Sequence, residues 1–362
     1  AATGKAGGDG IEAGLASVGR TTMKSPEQQK VSKQEKGGGT FEGIKLLLCE
    51  NPLPPLEEAI AAAQFELPRS NYYTEPYSAP LRQLISERVG VPISSIHINA
   101  GSELILRQIF DRFGQQAHLL TPTYSLFTEI AERYTETPLR PEQDFAFDLR
   151  GLEVPPGTTI AVIVNPNNPN GGTFDMAPLP GLLQKHPDTW FLVDEAFIGL
   201  AGESVAQLVP QYSNLIVTRT LSKAHSLAGF RVGYAVLPEA TAHELNAHND
   251  AYPLARVSQA AAIATLRHEA KIVDRALQLR SWAEELAREL QALGVRTYPS
   301  DTYFFLADFA PLDAADLSAK MEQRGVLLKP LNDSRLGEGF MRVTTALPED
   351  NERVLGILRE LL

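Results

Sequence analysis

The feature that most constrains the fold is an alternation of short apolar segments with segments of helical periodicity between residues 79 and 217. The apolar segments are rich in Val, Ile and Leu and are bounded by polar residues, as buried strands are. They lie at residues 96–99, 118–120, 159–164, 190–193 and 215–217, with helical segments at residues 79–89 and 102–113. Strands that alternate with helices form a mostly parallel sheet with helices on both faces. The sequence therefore predicts an α/β large domain.

The remaining segments predict three further parts of the chain. Residues 1–40 are rich in Gly, Ala, Ser, Lys and Gln and predict a flexible tail. A strand at residues 43–48 and a helix at residues 55–65 belong to an N-terminal arm, residues 41–72, that joins the small domain. Helical segments at 257–265 and 272–293 precede strands at 296–298, 303–308, 326–329 and 340–344, with one more helix among them. We therefore predict a large domain at residues 73–251 and a smaller α+β C-terminal domain at residues 252–362.

Composition limits the classes of partner. The chain has 33 basic and 44 acidic residues, and its formal charge of -11 argues against nucleic acid or an anionic membrane surface as a partner. Cys49 is the only cysteine, which excludes an intramolecular disulfide and a cysteine-rich metal site, and we predict no metal. No apolar segment approaches the roughly 20 residues that span a bilayer, and no apolar signal-peptide core precedes the first strand. We expect a cytoplasmic protein.

One lysine lies at a position suited to chemistry. Residues 214–218 predict a buried strand, and Lys223 follows where that strand ends. Active-site groups of open α/β sheets gather at the carboxyl ends of strands. A lysine amine forms a Schiff base with a carbonyl cofactor, and the neighbouring Thr220, Ser222 and Arg231 can donate to a phosphate. A solvated surface lysine is the alternative.

Three other strand ends carry polar groups. The turn at Gly101 and Ser102 opens a helix whose N-terminus can bind an anion, although Ser102 could simply cap that helix. Asn168 follows the strand at 159–164 and offers an amide to a phenolate oxygen, although turn formation alone would explain this segment. Asp194 follows the strand at 190–193 and can keep a pyridine nitrogen protonated, with a metal ligand or helix cap as the alternative.

Taken together, these motifs resemble those of fold-type I, pyridoxal-phosphate-dependent aminotransferases, and most of all the histidinol-phosphate aminotransferase family. The resemblance rests on Gly-Ser-Glu at 101–103, Asn-Pro-Asn-Gly at 168–171, Asp-Glu-Ala-Phe at 194–197 and Thr-Leu-Ser-Lys at 220–223, together with Arg231. It covers nearly all of the chain from Glu50 onward. It implies a fold-type I architecture, pyridoxal 5'-phosphate as cofactor, and amino transfer between an amino acid or amino alcohol phosphate and a 2-oxo acid in a ping-pong reaction.

The resemblance also implies roles for individual residues. Lys223 is the cofactor-bonding, catalytic lysine, and Arg342, Lys329 and Asn51 are substrate-binding residues. The residues implied to bind the cofactor are Ser102, Glu103, Tyr124, Asn168, Asp194, Phe197, Thr220, Ser222, Lys223, Arg231 and Tyr73. Tyr124 would stack on the cofactor ring, and Tyr73 would reach the phosphate of a neighbouring subunit. The resemblance therefore implies a homodimer with shared active sites.

Two departures from the family keep alternatives open. Phe197 stands where the family usually has a tyrosine, and a phenylalanine there resembles threonine-phosphate decarboxylases. Lys329 stands where an arginine usually binds the substrate phosphate, and lysine keeps the charge without the planar fork. A pyridoxal-phosphate-dependent decarboxylase is therefore the first alternative to an aminotransferase. A non-catalytic ligand-binding module is the second, although such a module has no need of the proton-carrying lysine.

Overall fold

The structure, a computed structural model, describes residues 41–362, and the tail predicted at residues 1–40 lies outside this range. The strands in chain order are β1 (Ile44–Lys45), β2 (Ile96–Asn99), β3 (Ala117–Thr121), β4 (Tyr134–Pro138), β5 (Ile160–Val164), β6 (Trp190–Asp194), β7 (Leu215–Thr220), β8 (Gly233–Val236), β9 (Arg296–Thr297), β10 (Phe304–Asp308), β11 (Val326–Leu327), β12 (Lys329–Pro330) and β13 (Phe340–Thr344). The α-helices are α1 (Glu57–Glu66), α2 (Ala79–Val89), α3 (Ser102–Phe113), α4 (Ser125–Ile130), α5 (Leu179–Lys185), α6 (Glu239–Ala247), α7 (Arg256–Arg267), α8 (Glu269–Ala292), α9 (Ala314–Gln323) and α10 (Pro348–Leu361). Short 3₁₀ turns link several of them.

The first large element is a seven-stranded sheet with the strand order β2-β8-β7-β6-β5-β3-β4. The five strands from β7 to β4 in this order are mutually parallel, and β8 is antiparallel to both of its neighbours. This arrangement confirms the predicted mostly parallel sheet. Strands β4 and β8 were not among the predicted ones. The largely exposed edge strand β4 lacks an apolar run, so its sequence gives no strand pattern.

Helices cover both faces of this sheet. Successive residues of a strand point to opposite faces, so Val162 and Ile163 of β5 belong to two different hydrophobic clusters. On one face α3 contributes an apolar stripe that includes Ile105 and Ile109, and on the other face α2 contributes Ile85. The sheet is therefore buried on both sides, which is why its central strands read as continuous apolar segments.

A second, antiparallel sheet has the order β12-β13-β10-β9 and packs with α8, α9 and α10 around its own hydrophobic cluster. Strand β1 pairs in parallel with β11, so the segment after residue 43 lies beside the C-terminal part of the chain. The predicted strand at 43–48 is shorter than expected, and α10 was not predicted. The range Glu42–Leu362 is one compact unit, and the division at residues 72/73 and 251/252 remains a prediction.

The parallel strands determine where polar groups gather. Strands β5, β6 and β7 are adjacent, and Val164 lies opposite Asp194, which lies opposite Thr218. The segments that follow these strands therefore leave the sheet at one edge. Within the described residues, no helix is both long enough and apolar enough to cross a membrane.

Candidate active site

Lys223 is partly buried in the loop that follows β7, and it is not a solvated surface lysine. Its Nζ donates to the backbone oxygens of Leu48, at 2.7 Å, and Cys49, at 3.3 Å. Burial lowers the pKa of Lys223, and the nearby Arg342 and Arg231 lower it further, against an opposing effect of Cys49 and Glu50. A lysine with a lowered pKa has more of the neutral amine that acts as nucleophile and base.

The predicted phosphate-binding residues lie together beside the start of α3. Gly101 has φ +88° and precedes Ser102, the first residue of the helix. A Cβ at Gly101 would lie 2.3 Å from Nη2 of Arg231, and a Cβ at Gly233 would lie 2.2 Å from the backbone nitrogen of Ser102. Glycine at position 101 leaves room for the Arg231 guanidinium, and glycine at position 233 lets β8 approach the N-terminus of the helix.

Two hydroxyls complete this group. Thr220 Oγ1 donates to Ser222 Oγ at 2.9 Å and accepts from the Ser222 backbone nitrogen at 3.1 Å. Gly233 is the register partner of Thr220, which brings these hydroxyls to the side of the sheet where α3 begins. The side chain of Glu103 forms an ion pair with Arg107. The group that Glu103 can offer to a phosphate is therefore its backbone N–H, which is free in the first turn of the helix. A guanidinium, two hydroxyls and free helix N–H groups are the donors that a phosphate dianion takes, so these residues fit the phosphate of pyridoxal phosphate.

Asp194 is 3% exposed at the end of β6. Its Oδ1 accepts from Thr218 Oγ1 at 3.1 Å, and burial raises the pKa of Asp194 to about 7. A cation placed against this carboxylate would restore its charge, and a protonated ring nitrogen is such a cation. The neighbouring Glu195 has a structural role, because its buried carboxylate accepts from Nε of the partly buried Arg219 at 2.7 Å.

Three further predicted cofactor residues lie at this edge. Asn168 follows β5, and its Oδ1 accepts from Arg342 Nη1 at 2.9 Å. The ring of Phe197 is buried and lies 5.6 Å from Lys223 Nζ. Tyr124 precedes α4, and burial, with smaller contributions from Glu103 and Asp194, raises the pKa of Tyr124 to about 12. The structure thus brings together residues that are far apart in the sequence.

Two cations of the second sheet face the same site. Arg342 on β13 is buried, donates from Nη2 to the Leu47 backbone oxygen at 2.7 Å, and has an Nε without a hydrogen-bond partner among residues 41–362. Lys329 on β12 is the register partner of Arg342. Side chains of register partners lie on the same face of a sheet, so the two cationic residues are neighbours. An unpartnered donor on a buried arginine fits an anionic ligand.

Two of the predicted residues contact other parts of the protein, and their predicted cofactor and substrate contacts remain predictions. Tyr73 is 77% exposed and stacks on Tyr252, with ring centroids 4.4 Å apart. Asn51 donates from Nδ2 to the backbone oxygens of Lys223, at 3.0 Å, and Ala224, at 3.3 Å. Asn51 therefore holds the backbone of the lysine loop, and its contact with substrate remains a prediction.

The sequence predicted a strand at 43–48 and a role for Asn51, but neither the backbone contacts of this segment nor the part played by Tyr303. Residues 46–51, here called the strap, present backbone carbonyls to Lys223 and Arg342. Tyr303, fully buried just before β10, donates from its hydroxyl to the Cys49 backbone oxygen at 2.7 Å. A backbone carbonyl has no residue-type signature, so no sequence signal could reveal the strap contacts. The aromatic residues Tyr303, Phe304 and Phe305 indicate only a buried strand.

Comparison with known proteins gives the following similarities. The family model for aminotransferases of class I and II matches residues 43–358. A histidinol-phosphate aminotransferase of Acinetobacter baumannii is 31% identical over 331 residues, which cover 88% of this chain and 90% of that protein. The crystal structure of histidinol-phosphate aminotransferase from Sinorhizobium meliloti, in complex with pyridoxal-5'-phosphate, superposes with a TM-score of 0.80 at 22% identity and covers 95% of this chain and 96% of its own. L-threonine-O-3-phosphate decarboxylase from Porphyromonas gingivalis gives a TM-score of 0.78 at 23% identity, covering 88% and 99%. Likeness to the two solved structures demonstrates the shared fold.

Proposed function

The chain belongs to the class I and II aminotransferases and is a pyridoxal-phosphate-dependent aminotransferase of fold type I; from this premise we propose that it accepts an amino donor with an anionic end, of the amino alcohol phosphate type, and a 2-oxo acid as amino acceptor. The relative in Acinetobacter baumannii supports histidinol phosphate as the first donor to test. One observation supports a donor with an anionic end: the Nε of the buried Arg342 has no hydrogen-bond partner among residues 41–362. Lys329 lies opposite Arg342 on the neighbouring strand and adds a second positive charge.

Each residue of the site has a defined task in this reaction. Bound pyridoxal phosphate supplies an electron-withdrawing ring that stabilises negative charge at the substrate α-carbon. Arg231, Ser222, Thr220 and the N-terminus of α3 bind its phosphate, and Asp194 keeps a proton on its ring nitrogen. Lys223 is the residue that would hold the cofactor through its carbonyl, and its free amine would take up on Nζ the proton that leaves the substrate α-carbon. Arg342 orients the anionic end of the substrate. Donor and acceptor use the same site in turn, which predicts ping-pong kinetics.

A donor screen tests the proposed substrate class. We expect histidinol phosphate with 2-oxoglutarate to give a kcat/KM about 100-fold above that of histidinol, because one charge-assisted anion contact contributes about 2–3 kcal/mol. The loss of the cofactor's visible absorbance upon addition of donor alone is the first readout, and formation of glutamate is the second. L-aspartate and O-phospho-L-threonine serve as comparison donors.

The other outcomes of the screen decide between the alternatives. A preference for aspartate would replace the phosphate donor with a carboxylate donor. Release of carbon dioxide from O-phosphothreonine without any oxo-acid product would contradict amino transfer and favour decarboxylation. The comparisons do not favour that alternative. Absorbance that no donor changes would favour a non-catalytic binding module.

We also propose that two copies of the chain share their active sites. Large apolar side chains are exposed near the N-terminal arm, among them Phe65, Leu67, Tyr72 and Tyr73. Exposed apolar groups in one neighbourhood are typical of a protein interface. The exposed ring of Tyr73 is available to a second copy, which agrees with the predicted reach of this tyrosine to a neighbouring phosphate.

A complementation experiment tests the shared site. Lys223→Ala and Tyr73→Ala chains are co-expressed with different tags, and the mixed species is purified through both tags. If Tyr73 serves the neighbouring site, each mixed dimer contains one site with both residues intact, and we expect about half of the wild-type activity. Mixed dimers no more active than either parent, or a monomer in sedimentation, would contradict the proposal.

A further inference from the structure

Tyr303 is a buried side chain beside the strap, and the proposed reaction gives its hydroxyl no task. Its ring is fully buried, and its hydroxyl donates to the backbone oxygen of Cys49 at 2.7 Å. The same oxygen accepts from Lys223 Nζ at 3.3 Å. The Tyr303 hydroxyl and the Lys223 amine therefore both donate to the Cys49 oxygen. The distance between these two donors is at most the sum of their distances to that oxygen, 6.0 Å (2.7 + 3.3).

We propose that Tyr303 is a positioning residue for Lys223: its hydroxyl holds the Cys49 carbonyl in the orientation in which that carbonyl accepts a hydrogen bond from the lysine amine. The inference rests on the proposed function of Lys223 as the proton carrier. Whenever the amine is not bonded to the cofactor, its hydrogen bonds to the strap determine where Nζ points. Tyr303 acts on Lys223 through the Cys49 carbonyl and has no direct part in binding substrate or cofactor.

The backbone at Cys49 explains why its carbonyl needs to be held. Cys49 has φ +50°, a left-handed conformation that residues other than glycine adopt at an energetic cost. Such a residue keeps its conformation only where its surroundings hold it. Cys49 Sγ lies 3.4 Å from Thr344 Oγ1, and Thr344 is the register partner of Phe304, the residue after Tyr303. The second sheet therefore holds the side chain of Cys49 through Thr344 and its carbonyl through Tyr303.

The charge state of Tyr303 agrees with a positioning role. Burial raises the pKa of Tyr303 well above its usual value of 10.0, and the charges of Cys49 and Glu50 act in the same direction, against Arg342. The hydroxyl thus stays a neutral donor over the range in which an enzyme works. The titratable groups that act on Lys223 are Cys49 and Glu50 in the strap, Arg342 on β13 and Arg231 after β7, and removing a neutral hydroxyl leaves all four side chains in place.

The substitution Tyr303→Phe isolates the hydroxyl from the ring. The ring packs edge-to-face on Phe197 and Phe304, with centroids 6.2 and 6.1 Å away, and phenylalanine keeps both contacts. We expect the pKa of Lys223 in the cofactor-free protein to fall by about half a unit or more, because the ammonium loses a well-oriented acceptor. Competitive acylation across a pH series, with the Lys223 peptide quantified by mass spectrometry, measures this pKa.

The loaded enzyme supplies the second readout. We expect exchange of the donor's α-hydrogen with solvent deuterium to slow about tenfold, since a misdirected amine carries the proton less efficiently, while the KM for the donor changes less than twofold. Tyr298→Phe is the matched control, because Tyr298 is also buried and its ring stacks on Phe340. We expect this control to leave both readouts unchanged.

The outcomes separate this inference from the proposed function. An unchanged or raised pKa of Lys223 in Tyr303→Phe would overturn the positioning role, whichever donor the enzyme prefers. A lowered pKa with an unexpected donor would support the positioning role and reject only the substrate. If Tyr303→Phe does not fold, Tyr303→Met also removes the hydroxyl and keeps an adaptable apolar side chain in the buried position, and the same fall in the Lys223 pKa is then expected. An unchanged pKa in Tyr303→Met would overturn the inference.

Discussion

Replacing Lys223 with alanine is expected to lower the rate of amino transfer by about 10⁴-fold or more, because the change removes both the amine that bonds to the cofactor and the base that carries the proton. Among residues 41–362, Lys223 is the lysine that donates to the backbone oxygens of Leu48 and Cys49. Single-turnover measurements of cofactor absorbance after mixing with donor follow the reaction without product release. Cofactor binding is measured separately, since the phosphate-binding residues remain intact.

A matched control makes this result specific. Lys185 ends α5, and its side chain is exposed. We expect Lys185→Ala to react within about twofold of the wild-type rate, as surface substitutions away from a site usually do little. A Lys223→Ala enzyme that retained more than a tenth of the wild-type rate would show that another group moves the proton.

Replacing Asp194 with asparagine is expected to lower the rate of amino transfer by about 100- to 1,000-fold. Asparagine keeps the shape of the side chain and an oxygen for Thr218 but lacks the negative charge that holds a proton on the cofactor's ring nitrogen. The ring then withdraws electrons less strongly from the substrate α-carbon. The rate of α-hydrogen exchange with solvent measures this step directly, and an exchange rate within threefold of wild type would reject the assigned role.

The same substitution has an effect on stability that does not depend on catalysis. In the folded protein without cofactor, burial raises the pKa of Asp194 from its usual 3.8 to about 7. Between these values the folded state binds more protons than the unfolded state, so the free energy of unfolding falls as the pH rises from about 4 to 7, by about 4 kcal/mol at most. Asparagine does not titrate, so we expect the free energy of unfolding of Asp194→Asn not to show this fall between pH 4 and 7.

Urea unfolding of the cofactor-free protein at a series of pH values measures the decline, and Asp188→Asn is the control because Asp188 is exposed. We expect the control to follow the wild-type curve. Saturating pyridoxal phosphate should reduce the wild-type decline, because a protonated ring nitrogen stabilises the charged carboxylate. A wild-type curve that is flat between pH 4 and 7 would contradict the buried, uncompensated state of Asp194.

The strand ends are the part of the site that the sequence predicts best. Apolar segments bounded by polar residues predicted β5, β6 and β7 to within a few residues, and each is followed by a residue with a suitable functional group. Because the three strands are parallel neighbours, Asn168, Asp194 and Lys223 had to arrive at one edge of the sheet. Strand β8 was not predicted, because Gly233 at its start interrupts the apolar pattern. This glycine allows the backbone of Ser102 to approach the strand.

Residue type and order along the chain determined the α/β fold, the edge of the sheet at which chemistry is placed, and the identity of the lysine. Tertiary structure decided what surrounds that lysine. Its two backbone acceptors come from the strap, more than 170 residues earlier in the chain, and one of them is held by Tyr303, 254 residues after Cys49. Contacts of this range depend on how two sheets pack, and backbone carbonyls can be supplied by any residue type. The pKa of Lys223 and the direction of its amine are therefore properties of the packed molecule.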